Sequence, residues 1–331
     1  MKIRLTRNFV AALTTIALVA IFAPGIAQAG SVKLKLSVES PQGDPLNVML
    51  RAFAGSLEKR VGDKVALEIF DGGALGDEIA QMELIRAGEV QVVPMGSDVV
   101  EIDKHFGIFD MPFLFPDAKT AHAALDGELG TLLADSLREA TGLELLAFGE
   151  LGFRVISNNK RPINTPADLA GLKLRTPGSK TRILAFQELG AAPTPMNLGE
   201  VYLALKQGAL DGQENPLSVV KEFSFFEVQK YVSITRHVYT PITMAMNGKT
   251  WASLTPELQE AAKAAARDAA AETRRLSAES DASLVAEFEK AGVKVNYADV
   301  ESFKAVTGPI YEKISKIAGS DFANKAIAAA K

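Results

Sequence analysis

Strand-sized runs alternate with helix-sized ones from Val32 onward, and this order constrains the fold more than any other feature. Val32 to Glu39 alternates apolar and polar residues, Leu46 to Arg60 reads as a helix, and Val65 to Phe70 is a second strand. A glycine-rich turn follows at Asp71 to Gly76, Asp77 caps a helix through Ile79, Met82, Leu84 and Ile85, and Val90 to Pro94 makes a third strand. Such alternation predicts an α/β fold with a parallel sheet and right-handed crossovers. Small ligands bind these sheets outside the carboxyl ends of the strands. Those ends carry Glu39, Ser40, Asp77, Gly96 and Ser97, which become candidate ligand-binding residues.

Further along, Leu143 to Phe148 reads as a strand, and Gly152, Phe153 and Arg154 open another as the chain passes into a second domain. Leu172 and Leu174 then alternate with Lys173 and Arg175 before Thr176, Pro177, Gly178 and Ser179 stop the strand. Ser179 is placed to cap a helix through Arg182 to Leu189. Arg175 therefore sits where a strand end meets a helix start, and both the helix N–H groups and a forked guanidinium favour carboxylate or phosphate oxygens. Asn197 or Gly199 opens the next helix. GALDGQENP, from Gly208 to Pro216, reads as a turn holding Asp211, Gln213, Glu214 and Asn215. Within it, Asp211 and Glu214 are expected to bond locally, while Asn215 has an amide suited to a ligand carboxylate or hydroxyl.

Pro216 to Tyr231 reads as a helix, and Tyr231 to Thr235 and Pro241 to Asn247 as strands returning to the first domain, so that several crossings would form a hinge. Thr255 to Ala291 is a long helix with Pro256 inside its start and Gly292 just past its end; Leu258, Ala261, Ala265, Ala269, Leu276 and Leu284 form its inward face.

The 331 residues, 47% hydrophobic, suffice for two ordinary domains. Lys2, Arg4 and Arg7, the apolar run from Phe9 to Phe22 and Ala27-Gln28-Ala29 together read as a signal peptide over residues 1–29. An uncleaved anchor is the alternative, but the apolar run is short for a span. Cleavage would remove three positive charges and shift the formal balance from −4 to −7, which argues against nucleic acid as a partner. With no cysteine, the chain has no disulfide, no thiolate metal site and no lipid attachment point of the lipoprotein kind. His105, His122 and His237 lack the spacing of a zinc pair or a triad, and no nucleophile elbow is present. His237, beside the return strands, is a candidate for the cleft. No catalytic, metal or cofactor site is assigned.

Several motifs in order carry a resemblance that covers essentially all of the mature chain. GFR at Gly152 to Arg154, RPINTPADLAGLKLRTP, APTPMNLGEVYLAL, DGQENP and FFEVQKY, with PFLF at Pro112 to Phe115 and LGD at Leu75 to Asp77, resemble the solute-binding proteins of TRAP transporters. The resemblance implies a two-lobed periplasmic binding protein fold of type II kind, with hinge strands and a long helix across both lobes. It implies lobe I at 30–152 with return segments from about 240–331, and lobe II at 153–239. It implies that Arg175 makes a two-point contact to a substrate carboxylate, with Arg154 and Asn215 in support. Some relatives that bind keto acids place a cation near the positions of Gln213 and Glu214; tying down the turn is the reading preferred here. Sialate-binding members have an asparagine where this chain has Gly178, and an acidic and basic pair where it has Gly96 and Val99, which points away from sialic acid. The expected ligand is a smaller organic acid, such as a C4 dicarboxylate, a hydroxy or keto acid or a sugar acid. The expected partner is a TRAP membrane permease, served by a periplasmic monomer that is not itself inserted in the membrane. A receptor reporting to a membrane sensor, or less plausibly a secreted enzyme on this scaffold, are the alternatives.

Overall fold

A strand of sixteen residues, Leu143–Asn158, holds the architecture together. The computed structural model describes residues 31–331, so the leader expected over residues 1–29 lies outside the described residues. In chain order the elements are β1 (Val32–Ser37), α1 (Pro45–Val61), β2 (Val65–Phe70), α2 (Glu78–Ala87), β3 (Val92–Met95), α3 (Ala118–Leu125), α4 (Glu128–Thr141) and β4, the long strand. There follow β5 (Lys173–Thr176), α5 (Lys180–Glu188), β6 (Ala192–Pro195), α6 (Leu198–Lys206), β7 (Gly212–Pro216), α7 (Leu217–Glu222), β8 (Tyr231–Ile234) and β9 (Tyr239–Asn247). The chain closes with α8 (Gly248–Ser253), α9 (Pro256–Lys290), β10 (Lys294–Tyr297), α10 (Val300–Lys304), α11 (Gly308–Ala318) and α12 (Ser320–Ala329). Among the described residues no helix is long and apolar enough to cross a membrane.

The main strand order is β2-β1-β3-β9-β4-β7-β5-β6, with β8 also on β4 and β10 on β8. Leu143 to Phe153 of β4 pairs with β9, and Arg154 to Asn158 pairs with β7 on one side, with β8 joining on the other from Ile156. What the sequence suggests as two strands is thus one, because the break at Gly152 is a register irregularity: Gly152 takes a φ of 115° and the strand continues. The sheet is also mixed rather than parallel. β9 enters between β3 and β4 from the opposite direction and is antiparallel to both, while β1, β2 and β3 on one flank and β5, β6 and β7 on the other are parallel.

Local chemistry accounts for the helices. The Asp44 side chain accepts from the Leu46 amide at 2.9 Å, with Pro45 at the first position of α1, and the helix buries Met49, Leu50, Phe53 and Leu57. Asp77 caps α2 and Ser179 caps α5, as their positions predict. The long helix α9 starts from a Thr255 cap and buries Leu258, Ala262, Ala265, Ala266, Ala269, Ala270, Thr273, Leu284 and Phe288 against α1, β4 and α7. Ala261 and Leu276 are only half-buried, so the inward face is rotated slightly from the one expected.

Two segments depart from expectation. The helix expected over Pro216 to Tyr231 stops after the six residues of α7, where Ser224 turns to a φ of 55° and a short 3-10 turn follows at Phe225–Glu227. GQENP is a buried strand, β7, not a turn. Gly212 begins it because any side chain there would lie 2.2 Å from the Ser157 carbonyl oxygen. Turn-like composition misleads here because the polar side chains of β7 face charged partners inside the protein rather than solvent.

Candidate functional site

Parallel strands from both flanks of the sheet point their carboxyl ends at one place. Just past β1 lie Glu39 and Ser40, at the start of α2 Glu78, and past β3 Gly96, Ser97 and Asp98. From the other flank come Arg154 of β4, Arg175 and Pro177 at the end of β5, and Asn215 of β7. Together with Asp44, Leu46, Leu151, Leu198 and Val219 they line a cavity of about 30 Å³, room for roughly two waters. Seven of the nine residues singled out in the sequence, Arg175, Arg154, Asn215, Glu39, Ser40, Gly96 and Ser97, therefore meet here.

The other two lie elsewhere. Asp77 spends one carboxylate oxygen on the Ala80 amide of its own helix and the other on the Asn197 side chain. His237 lies behind the cavity, fully buried, with Nδ1 against the Thr235 hydroxyl at 2.7 Å and Nε2 3.2 Å from Glu214 Oε2. Burial lowers its pKa against the pull of Glu214, so the imidazole is neutral at neutral pH. His105 and His122 are tied to Asp103 and Glu150 respectively.

Two kinds of buried charge sit side by side. Behind the cavity, Glu214 accepts from Arg154 Nη2 and Arg182 Nη1, each at 2.9 Å, and Arg182 Nε reaches Asp110 Oδ1 at 2.7 Å. The Ser179 and Thr181 hydroxyls complete the shell of Asp110. Burial would raise the Glu214 pKa, but the two guanidiniums outweigh it and hold the carboxyl well below the usual range. The local bonding expected of Glu214 within a turn is thus replaced by a central ionic role, with both oxygens taken by arginines. Gln213 instead holds the Ser157 hydroxyl and accepts from Asn215, whose Oδ1 accepts from Arg154 at 2.8 Å.

Arg175 differs. It is 3% exposed, and its Nε and Nη2 both donate to the Met196 carbonyl at 2.9 and 2.7 Å, yet no carboxylate among the described residues lies within ion-pair distance of it. Burial lowers its pKa to about 10, still charged at neutral pH. Facing it are carboxyl groups that the sequence did not single out, Asp44, Glu78 and Asp98. Glu78 Oε1 accepts from the Gly96 amide at 2.8 Å and the Asp98 amide at 3.2 Å, and Asp98 Oδ1 accepts from the Gly178 amide at 2.8 Å. Burial is the largest cause that raises the pKa of Glu78 and Asp98, that of Asp44 to about 6 and that of Glu39 to about 7. The only sequence signal for them was position: Asp98 closes the third strand end, and Glu78 follows a helix cap.

A roomier hollow of about 160 Å³ lies beneath α9, lined by Val48, Leu276, Leu284 and others. Its one cation, Lys221, already faces Glu287 at 3.8 Å, so the hollow lacks the unpaired guanidinium that marks the smaller cavity.

The sequence pattern of bacterial extracellular solute-binding protein family 7 matches residues 36–317. The chain belongs to that family. Among similar proteins, the 2,3-diketo-L-gulonate-binding periplasmic protein YiaO of Escherichia coli is 37% identical over 263 residues, 79% of this chain and 80% of the relative. The sugar acid binding protein of Advenella mimigardefordensis, solved with galactonate, superposes with a TM-score of 0.86 at 29% identity, covering 91% of this chain and 98% of that one. A TRAP periplasmic solute-binding protein from a Polaromonas species, solved with D-erythronate, gives a TM-score of 0.85 at 32% identity, covering 90% and 99%. The family 7 chain described here thus has the two-lobed α/β fold of TRAP solute-binding proteins, and these relatives are binding proteins, not enzymes.

Proposed function

We propose that this family 7 protein captures a small organic acid through a carboxylate clamp at Arg175 and presents it to a TRAP permease in the periplasm, after export on the leader at residues 1–29. One observation carries the reading: a buried guanidinium without an ion-pair partner lines a cavity at the carboxyl ends of the strands. A ligand carboxylate supplies the missing charge in two-point geometry. Arg154, oriented by Glu214, and Asn215 support it from the same wall. Relatives solved with galactonate and erythronate, and one named for diketogulonate, support a hydroxylated or keto acid.

We take lobe I as residues 30–152 with the return segments from about 240–331, and lobe II as 153–239, apart from β10, which pairs with β8. A sugar acid exceeds a cavity of about 30 Å³, so loading requires the walls to part. Among the hydrogen bonds that join the two lobes, those from the Gly178 amide to Asp98 and from Asn197 to Asp77 lie at the cleft and would break as they do. Rotation of the lobes about their connecting strands accomplishes this.

The test is a thermal-shift and calorimetric screen of the leader-free protein against mono- and dicarboxylates, sugar acids and neutral sugars. Organic acids are expected to raise Tm, and Arg175→Lys, which keeps the charge and loses the fork, is expected to lose most of the affinity. Equal affinity in Arg175→Lys, or hits confined to neutral sugars, would sink the clamp. Crosslinking that captures a permease, and not a sensor protein, tests the partner.

A further inference from the structure

The cavity holds more acid than base, which is unexpected in a site for anions. Glu39, Asp44, Glu78 and Asp98 face Arg154 and Arg175 across it. Arg154 is already paired with Glu214, so Arg175 is the single guanidinium in the lining with no ion-pair partner. One such cation suits one carboxylate.

Three of the carboxyl groups are held in a common way. Glu39 Oε2 accepts from the Glu78 amide at 2.8 Å, Glu78 Oε1 from the Gly96 and Asp98 amides, and Asp98 Oδ1 from the Gly178 amide at 2.8 Å. In each, backbone donors fix one oxygen, and the other accepts from no protein group among the described residues. The neighbouring Ser40 hydroxyl, 1% exposed, lies against the Asp44 carboxyl. A carboxylate accepts hydrogen bonds and a protonated carboxyl also donates one, so such a wall matches hydroxyl groups in either state. A second carboxylate on the ligand would meet like charge with no cation to offset it.

We propose that Glu39, Glu78 and Asp98 form an acceptor wall opposite Arg175 that selects acids with one carboxylate and several hydroxyls and turns away dicarboxylates. This rests on the Arg175 clamp and narrows its ligand class. Burial raises the pKa of all three groups, so the repulsion of a second carboxylate strengthens as pH rises and the wall sheds its protons, while hydroxyls are matched in either state.

Calorimetry of the leader-free protein with galactonate, erythronate, succinate and malate tests it, alongside Glu39→Gln and Asp98→Asn. The parent is expected to bind galactonate or erythronate at least a hundredfold tighter than either dicarboxylate. Each amide variant is expected to narrow that ratio about tenfold or more, chiefly through tighter dicarboxylate binding. Succinate or malate binding as tightly as the hydroxy acids in the parent would overturn the wall and leave the clamp intact, and this readout requires no variant to fold. An unchanged ratio in both folded variants would also overturn it. If none of the four acids binds, the clamp falls and the wall falls with it.

Discussion

Two clusters of buried charge lie within reach of each other and are built on opposite terms. In the one behind the cavity, Arg154, Arg182, Glu214 and Asp110 satisfy one another, with hydroxyls and a neutral imidazole filling the remaining positions. In the one lining the cavity, Arg175 has no carboxylate partner and the facing carboxyl groups are half-bonded. Charges that serve the fold are saturated by the protein. In the function proposed above, the half-bonded ones are left for a ligand to complete.

The largest expected effect breaks the saturated cluster. Glu214→Gln removes the shared partner of two buried guanidiniums and is expected to cost about 3–5 kcal/mol of stability, measured by urea unfolding. Arg175→Ala should do the reverse: ligand affinity falls roughly thirtyfold to several thousandfold, following about 2–5 kcal/mol for a truncated buried charge pair, while ligand-free stability moves far less than in Glu214→Gln. Comparable unfolding losses in the two variants would erase the distinction between the clusters.

A pH titration sharpens it. Folded Glu39 keeps its proton to about pH 7, whereas the unfolded carboxyl releases it near 4.5, so raising the pH through that window favours the unfolded chain. The loss of ligand-free stability between pH 4.5 and 7 should be smaller in Glu39→Gln by on the order of 2 kcal/mol, after discounting for partial exposure. An unchanged slope would show that Glu39 titrates normally. The smallest effect is expected for Asp77→Ala, outside the cavity: about 1 kcal/mol from the lost helix cap, read as a lower Tm, with ligand preference retained.

How much was legible in the sequence follows from where each residue's signal resided. Arg175 could be found because a strand, an abrupt stop and a cap surround it in a few consecutive residues, and Asp77, Ser179 and Thr255 announce their helices in the same local way. Glu214 could not, because GQENP has turn composition and its burial depends on Arg154 and Arg182, sixty and thirty-two positions away. Asp98 and Glu78 were hidden for a related reason: their meaning comes from the Gly178 amide and the Gly96 amide, supplied by folding. His237 and Asp77 were expected to line the cavity from their neighbours in the chain, but their side chains are spent on Thr235 and Glu214 and on Ala80 and Asn197 instead. The antiparallel entry of β9 was invisible since the apolar pattern of a strand carries no direction.

The unbroken course of β4 through both flanks of the sheet bears on how this protein melts. Its residues up to Phe153 hydrogen-bond to β9, and those from Arg154 onward to β7 and β8, so neither flank can lose its strand pairing without stripping the other of an edge. A chain with two lobes could unfold in two steps. Here a single cooperative transition is the natural expectation, and a ligand held at one end of β5 should delay the collapse of strands on the far side of the molecule as much as those it touches.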